Sequence, residues 1–130
     1  MSTLALKPSV LFFGRKEDEK SKKCLKHLQN LDFNVMVIWS SNRNESLPED
    51  ISQIEVDYIL CYRSYFILPK FLIESSKFYS INFHPGSPKY PGSGGINFAL
   101  YNNDKNFGIT IHFMQLNCNS QLLPIKYILN

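Results

Sequence analysis

The chain has 130 residues, 44% hydrophobic and 19% charged, which suits a single globular domain with a sizeable core. Its net charge of +3 is too weak for a dedicated nucleic-acid surface. No apolar run approaches the ~18–20 residues that span a bilayer, and the N-terminus lacks a charged region followed by an apolar one. The expectation is a cytoplasmic protein with neither membrane nor nucleic acid as partner. Cys24, Cys61 and Cys118 are far apart and odd in number, which fits reduced thiols better than a disulfide frame or a metal site.

In chain order, Ser9–Phe13 is a short apolar run ended by Gly14, as in a strand buried on both faces. Arg15–Leu31 carries Cys24, Leu25, Leu28 and Leu31 at helical spacing. Its acids (Glu17, Asp18, Glu19) precede Lys20, Lys22, Lys23 and Lys26, in the sense of the helix dipole, and the charge run reads as a solvated face. Phe33–Trp39 alternates as a second strand, Ser40–Asp50 is a polar loop, and Ile51–Val56 carries no clear pattern. Asp57–Tyr62 is a third strand. Pro69 can open a short helix over Lys70–Ser76, because proline is tolerated at the first helical position. Tyr79–His84 is a fourth strand, Gly95–Asn103 a helix with Ile96, Phe98, Ala99 and Tyr101 partly buried, and Gly108–Met114 a fifth strand.

This order predicts an α/β fold, a Rossmann-like three-layer sandwich with a mostly parallel sheet, in one domain over residues 1–130. Right-handed crossovers would bring the carboxyl ends of strands one, three and four to one edge. Gly14–Lys16, Tyr62–Phe66 and His84–Gly92 would then line one crevice.

The stretch from Ser80 to Gly95 is the most informative. Asn82 and His84, two apart on a strand, emerge together where it ends. A run with three prolines and four glycines follows. It reads either as a structural turn after a strand-end histidine or as a site under a stiff loop.

Cys61–Leu72 followed by Ile81–Met114 closely resembles the formyl-tetrahydrofolate-dependent formyltransferases. The pieces that match are Ile67-Leu68-Pro69-Lys70, Ile81-Asn82-Phe83-His84-Pro85-Gly86-Ser87-Pro88-Lys89-Tyr90-Pro91-Gly92, Asn97-Phe98-Ala99-Leu100 and Phe107-Gly108-Ile109-Thr110-Ile111-His112-Phe113-Met114. The loop form looks most like enzymes acting on nucleotide-linked amino sugars, of the dTDP-4-amino-4,6-dideoxy type used in surface-polysaccharide synthesis. Methionyl-tRNA formyltransferases usually carry a Leu-Leu-Pro version of it.

The resemblance implies 10-formyltetrahydrofolate as co-substrate and no metal. It makes Asn82 the oxyanion donor and His84 the proton acceptor, and lets Phe66, Ile67, Leu68 and Pro69 border the folate. Pro85, Gly86, Tyr90 and Gly92 would meet the substrate; Gly14 and Arg15, by their place after the first strand, read either as a contact for its phosphate or as a solvated helix start. The family's aspartate beyond the fifth strand falls on Asn119, and Gln121 replaces the following glycine. An amide cannot supply the charge that supports an imidazolium.

The tail, residues 115–130, resembles nothing in the family, and the expectation is a shortened form of an ordinary enzyme or an inactive relative that keeps its crevice. A bare sheet edge there would favour a homodimer. His112 reads as a packed core histidine or a catalytic one, and Gly92-Ser93-Gly94-Gly95 as a turn or a phosphate cradle. Cys61 and Cys118 show no base partner for nucleophilic catalysis. A non-catalytic folate or nucleotide-sugar module is the main rival; a dinucleotide oxidoreductase lacks its Gly-rich fingerprint after the first strand.

Overall fold

The computed structural model describes residues 7–84, 100–103, 107–114 and 122–129. The apolar run near the start forms β1 (Ser9–Arg15), buried from Val10 to Gly14. Such continuous burial requires protein on both faces and both edges, and β1 has both. It pairs in parallel with β2 (Asn34–Ser40) on one side and β3 (Tyr58–Tyr62) on the other. β4 (Tyr79–His84) extends the parallel set beside β3, and β5 (Phe107–Phe113) and β6 (Leu122–Leu129) follow antiparallel. The sheet order is β2-β1-β3-β4-β5-β6.

Successive side chains of β1 feed opposite layers. Val10 and Phe12 pack with Leu28, Cys24 and Leu25 of α1 (Glu19–Asn30). Leu11 and Phe13 join Ile59, Cys61, Ile51, Leu68 and Leu72 on the other face, under a 3-10 helix (Glu49–Gln53) and α2 (Lys70–Ile73). Emptying the fully buried Leu72 site by substitution to alanine would cost about 2–5 kcal/mol. The fold is the Rossmann-like α/β sandwich read from the sequence.

Several boundaries differ from the sequence reading, each for a local reason. Arg15 is not helical: it pairs in register with Ser40, and the helix waits for its cap at Asp18. Glu17, with φ of 57°, turns the chain between them. β3 begins at Tyr58, because Asp57 instead accepts hydrogen bonds from the Ser9 backbone N–H (2.9 Å) and Oγ (3.3 Å), stapling the starts of β1 and β3. α2 stops at Ile73; Ser75 Oγ donates to the Leu72 carbonyl at 2.7 Å and competes with further turns.

Ile51, in the stretch without a pattern, is buried by the 3-10 helix that follows Pro48. Leu100 and Tyr101 are helical, within the helix read over 95–103, but Tyr101 is 87% exposed and not partly buried. The tail contributes a strand. Thr110 pairs with Lys126 and His112 with Leu122, so Leu123–Ile125 bulge against Ile111. Pro124 lies in that bulge, where its missing N–H breaks no ladder bond.

Gly14 stands where a side chain has no room. A Cβ there would lie 2.8 Å from Phe12 Cε1 and 2.8 Å from Trp39 Cζ3, two rings that meet edge-on at 6.2 Å. Gly14→Ala should therefore lower stability by about 1–3 kcal/mol. Urea unfolding would show this as a lower midpoint at unchanged slope; an unmoved midpoint would mean that the rings swing aside freely.

Candidate active site at the carboxyl edge of the sheet

Because β1, β3 and β4 run the same way, Arg15, Tyr62 and His84 finish on one edge of the sheet. Asn82 pairs with Cys61 of β3 and, on the other side, with His112 of β5; it is half-buried. His84 is the last residue of β4 and stands opposite Thr110. His112 is thus the ladder neighbour of Asn82.

Beside this pair, four consecutive residues after β3 are tied down. Arg63 Nε meets Asp18 Oδ2 at 2.8 Å and its Nη2 meets Oδ1 at 3.2 Å. Asp18 is also the N-cap of α1, accepting from the Ser21 N–H at 2.9 Å and the Ser21 hydroxyl at 2.8 Å. The Ser21 hydroxyl in turn accepts from the Arg15 N–H at 3.1 Å. The Arg15 guanidinium lies 4.2 Å from the centre of the Tyr65 ring, and its Nε donates to the Arg63 carbonyl at 3.0 Å.

Ser40, fully buried at the end of β2, completes the junction. Its hydroxyl donates to the Gly14 carbonyl at 3.0 Å and accepts from the Tyr65 N–H at 2.9 Å. Its single proton is spent on Gly14, so Ser64 is the donor in the 3.3 Å contact between the two hydroxyls. Sequence reading put Arg63 and Tyr65 within the crevice-lining stretch Tyr62–Phe66 but gave them no role, and it missed the parts played by Asp18, Ser21 and Ser40. The only local signal was Asp18-x-x-Ser21, an acid at cap spacing ahead of an apolar-periodic stretch.

Of the residues assigned to the folate, only one offers its side chain. Phe66 is turned edge-on to Phe13 at 5.9 Å, Leu68 is buried in the core, and Pro69 caps α2. Ile67 is 94% exposed. The side chains of Phe66 and Leu68 are taken up by packing, which leaves only their backbone to meet a ligand. Gly14 is explained by the Phe12 and Trp39 rings, whereas Arg15 remains accessible at the edge. Pro85, Gly86, Tyr90, Gly92 and Asn119 lie outside the described residues, as do Cys118, Gln121 and the glycines at 94 and 95.

Cys24 and Cys61, the cysteines among the described residues, are poor nucleophiles. Burial pushes the Cys61 thiol up to about 12 and raises that of Cys24 as well. Among the described residues no group of His, Cys, Asp or Glu has the arrangement of a metal site. A cleft of about 440 Å³, bordered by Ile73, Ser76, Tyr79, Phe113 and Met114, opens at the amino end of β4. Five residue-to-residue steps along the strand, roughly 16 Å, separate Tyr79 from His84, so that cleft is not the carboxyl-edge site.

Comparison with known proteins decides the family. Residues 7–119 match the formyl transferase family model. The chain belongs to the formyl transferase family. A methionyl-tRNA formyltransferase of Alkaliphilus oremlandii is 35% identical over 75 residues, 57% of this chain and 24% of that protein. The chain thus spans about a quarter of the length of the curated relatives it matches.

Among solved structures, methionyl-tRNA formyltransferase from Clostridium thermocellum superposes with a TM-score of 0.71 at 19% identity, covering 95% of this chain and 53% of that one. A formyltransferase from Anoxybacillus kamchatkensis, solved with UDP-4,6-dideoxy-4-formamido-L-AltNAc and tetrahydrofolate, gives 0.69 at 18% identity, covering 94% and 60%. At these identities the two structures support the fold.

The Asp18 carboxyl carries a pH dependence. Burial alone would raise its pKa, but the hydrogen bonds from Arg63 and Ser21 and the Arg63 charge outweigh it and hold it at about 2. A lowered carboxyl pKa stabilises the fold above the unfolded value near ~3.9, and that contribution fades as pH falls toward 2. Asp18→Asn keeps a capping oxygen but lacks the charge. The melting-temperature gap between native protein and Asp18→Asn should be full at pH 6 and close between pH 4 and 2; a gap constant over that range would contradict the assignment.

Proposed function

We propose that this chain carries an N-formyltransferase site. It would move a formyl group from 10-formyltetrahydrofolate to the amine of a nucleotide-linked amino sugar of the dTDP-4-amino-4,6-dideoxy type. The observation that carries the reading is the position of Asn82 and His84 at the carboxyl end of β4, beside the ends of β1 and β3, in a chain of this family.

In this reading the sugar amine attacks the formyl carbon, and the carbonyl π pair becomes an oxyanion. Asn82 donates an amide N–H to that oxyanion, a contact whose loss costs on the order of 3 kcal/mol in comparable sites. The His84 imidazole takes the proton that the attacking nitrogen sheds. Collapse re-forms the carbonyl and breaks the bond to the donor nitrogen, which takes the proton from His84 and leaves as tetrahydrofolate. The backbone at Phe66–Pro69 and the exposed Ile67 side chain offer a polar edge and an apolar surface to a flat pterin. Arg15 has no carboxylate partner among the described residues, and its stacked guanidinium suits the diphosphate of the acceptor.

A second reading takes methionyl-tRNA as acceptor, favoured by the 35% identity to the Alkaliphilus relative. The chemistry is the same, and the His84–Gly92 loop form supports the sugar. Asn119 stands at the family's aspartate position, so turnover by this chain should be slow. Formyl transfer assayed with both acceptors tests all of this. Asn119→Asp should raise transfer to the amino sugar by at least about 100-fold, within the four decades that the analogous exchange costs serine proteases. Equal rates would remove Asn119 from the mechanism. Transfer to charged tRNA but not to the sugar would exchange the two readings.

A further inference from the structure

Arg63 has φ of 59°, the left-handed region in which a side chain costs roughly 1–2 kcal/mol. A glycine would make the same turn without that cost, so the position is held for its side chain. That side chain forms a two-pronged pair with Asp18, and the partners are only 28% and 16% exposed. By contrast the Lys7–Asp32 pair, 59% and 76% exposed, belongs to the class worth little.

Asp18 is a fixed anchor, since it caps α1 and accepts from Ser21. The rest of the turn is fixed from other sides. The Arg63 carbonyl accepts from Arg15 of β1, the Tyr65 N–H donates to Ser40 of β2, and the Phe66 N–H donates to Ser64 Oγ at 3.2 Å. Three elements therefore converge on four residues that lead directly into Phe66–Pro69.

We propose that Arg63 is a positioning residue: clamped by Asp18, it holds Ser64–Phe66 so that the backbone at Phe66–Pro69 is preset for the folate before any ligand arrives. This rests on the reading of Phe66–Pro69 as the folate border. Presetting matters because apparent affinity falls in proportion to the fraction of molecules in the competent conformation. A segment released to about 10% competence binds about tenfold more weakly.

The test uses the full chain in four forms: native, Asp18→Asn, Arg63→Gly and the double variant. Asp18→Asn retains the cap, and Arg63→Gly loses the pair but also the backbone strain, so both should fold. Without ligand, the Tyr65 and Phe66 amides should exchange at least about tenfold faster in each single variant. Tetrahydrofolate, followed by calorimetry, should bind about tenfold more weakly to each, and no more weakly to the double variant than to either alone. The amides of Ile59 and Leu60 in β3 should keep their exchange rates within about twofold, which a general loss of structure would not leave untouched.

Unchanged amide exchange together with unchanged tetrahydrofolate affinity would overturn the proposal. Faster exchange in variants of a native chain that binds no tetrahydrofolate would overturn it differently. The clamp would then be structural, and the failure would lie with the folate border.

Discussion

The site depends on one arrangement, the parallel pairing of β1 with β2 and β3 and of β3 with β4. Parallel strands must be joined by crossovers that lie over the sheet faces, and here α1 takes one face while the 3-10 helix and α2 take the other. The strand ends then gather on a single edge. Backbone groups beyond the ladder there need new partners, and Ser40, Ser21, Asp18 and Arg15 supply them. The same geometry that completes the backbone's hydrogen bonds thus builds a rigid, charged wall beside Asn82 and His84.

That wall divides the labour at the edge. The Asp18–Arg63 pair is internally neutral and spends its energy on shape, whereas Arg15 keeps its charge for whatever approaches. The aromatic packing beneath sets where these groups can stand. Phe12 and Trp39 exclude any side chain at Gly14, and Phe13 draws Phe66 inward. Cys61 lies in the ladder next to Asn82, yet its burial makes it part of the core and not of the chemistry.

Much of this was legible in the sequence because it is periodic. The unbroken apolar run at Val10–Phe13 marked a strand buried on both faces. The alternation from Tyr79 to His84 marked a strand with Asn82 and His84 in step, and the loop after it carried the family. What could not be read depends on contacts between residues distant in the chain. Asp18 looked like one acid in a solvated run; its cap to Ser21 is local, but its pairing with Arg63, 45 residues away, leaves no trace in the sequence around it. Arg63 itself gives no local sign of its left-handed backbone, since arginine is an unusual choice for that turn. The tail strand escaped because Pro124 reads as a strand breaker until the bulge opposite Ile111 accommodates it. Tyr101 escaped for the opposite reason, an apolar ring at helical spacing that proves exposed.

The central claim is that the donor binds at the carboxyl edge and not in the cleft at the amino end of β4. Backbone amide shifts followed by NMR during a tetrahydrofolate titration test it most directly. The account predicts that the amides of Phe66, Ile67, Leu68, Asn82 and His84 shift together along one saturable curve, with Phe78 and Tyr79 unmoved. Shifts confined to Ser76–Ser80 and Phe113–Met114 would place the ligand at the opposite edge and contradict it.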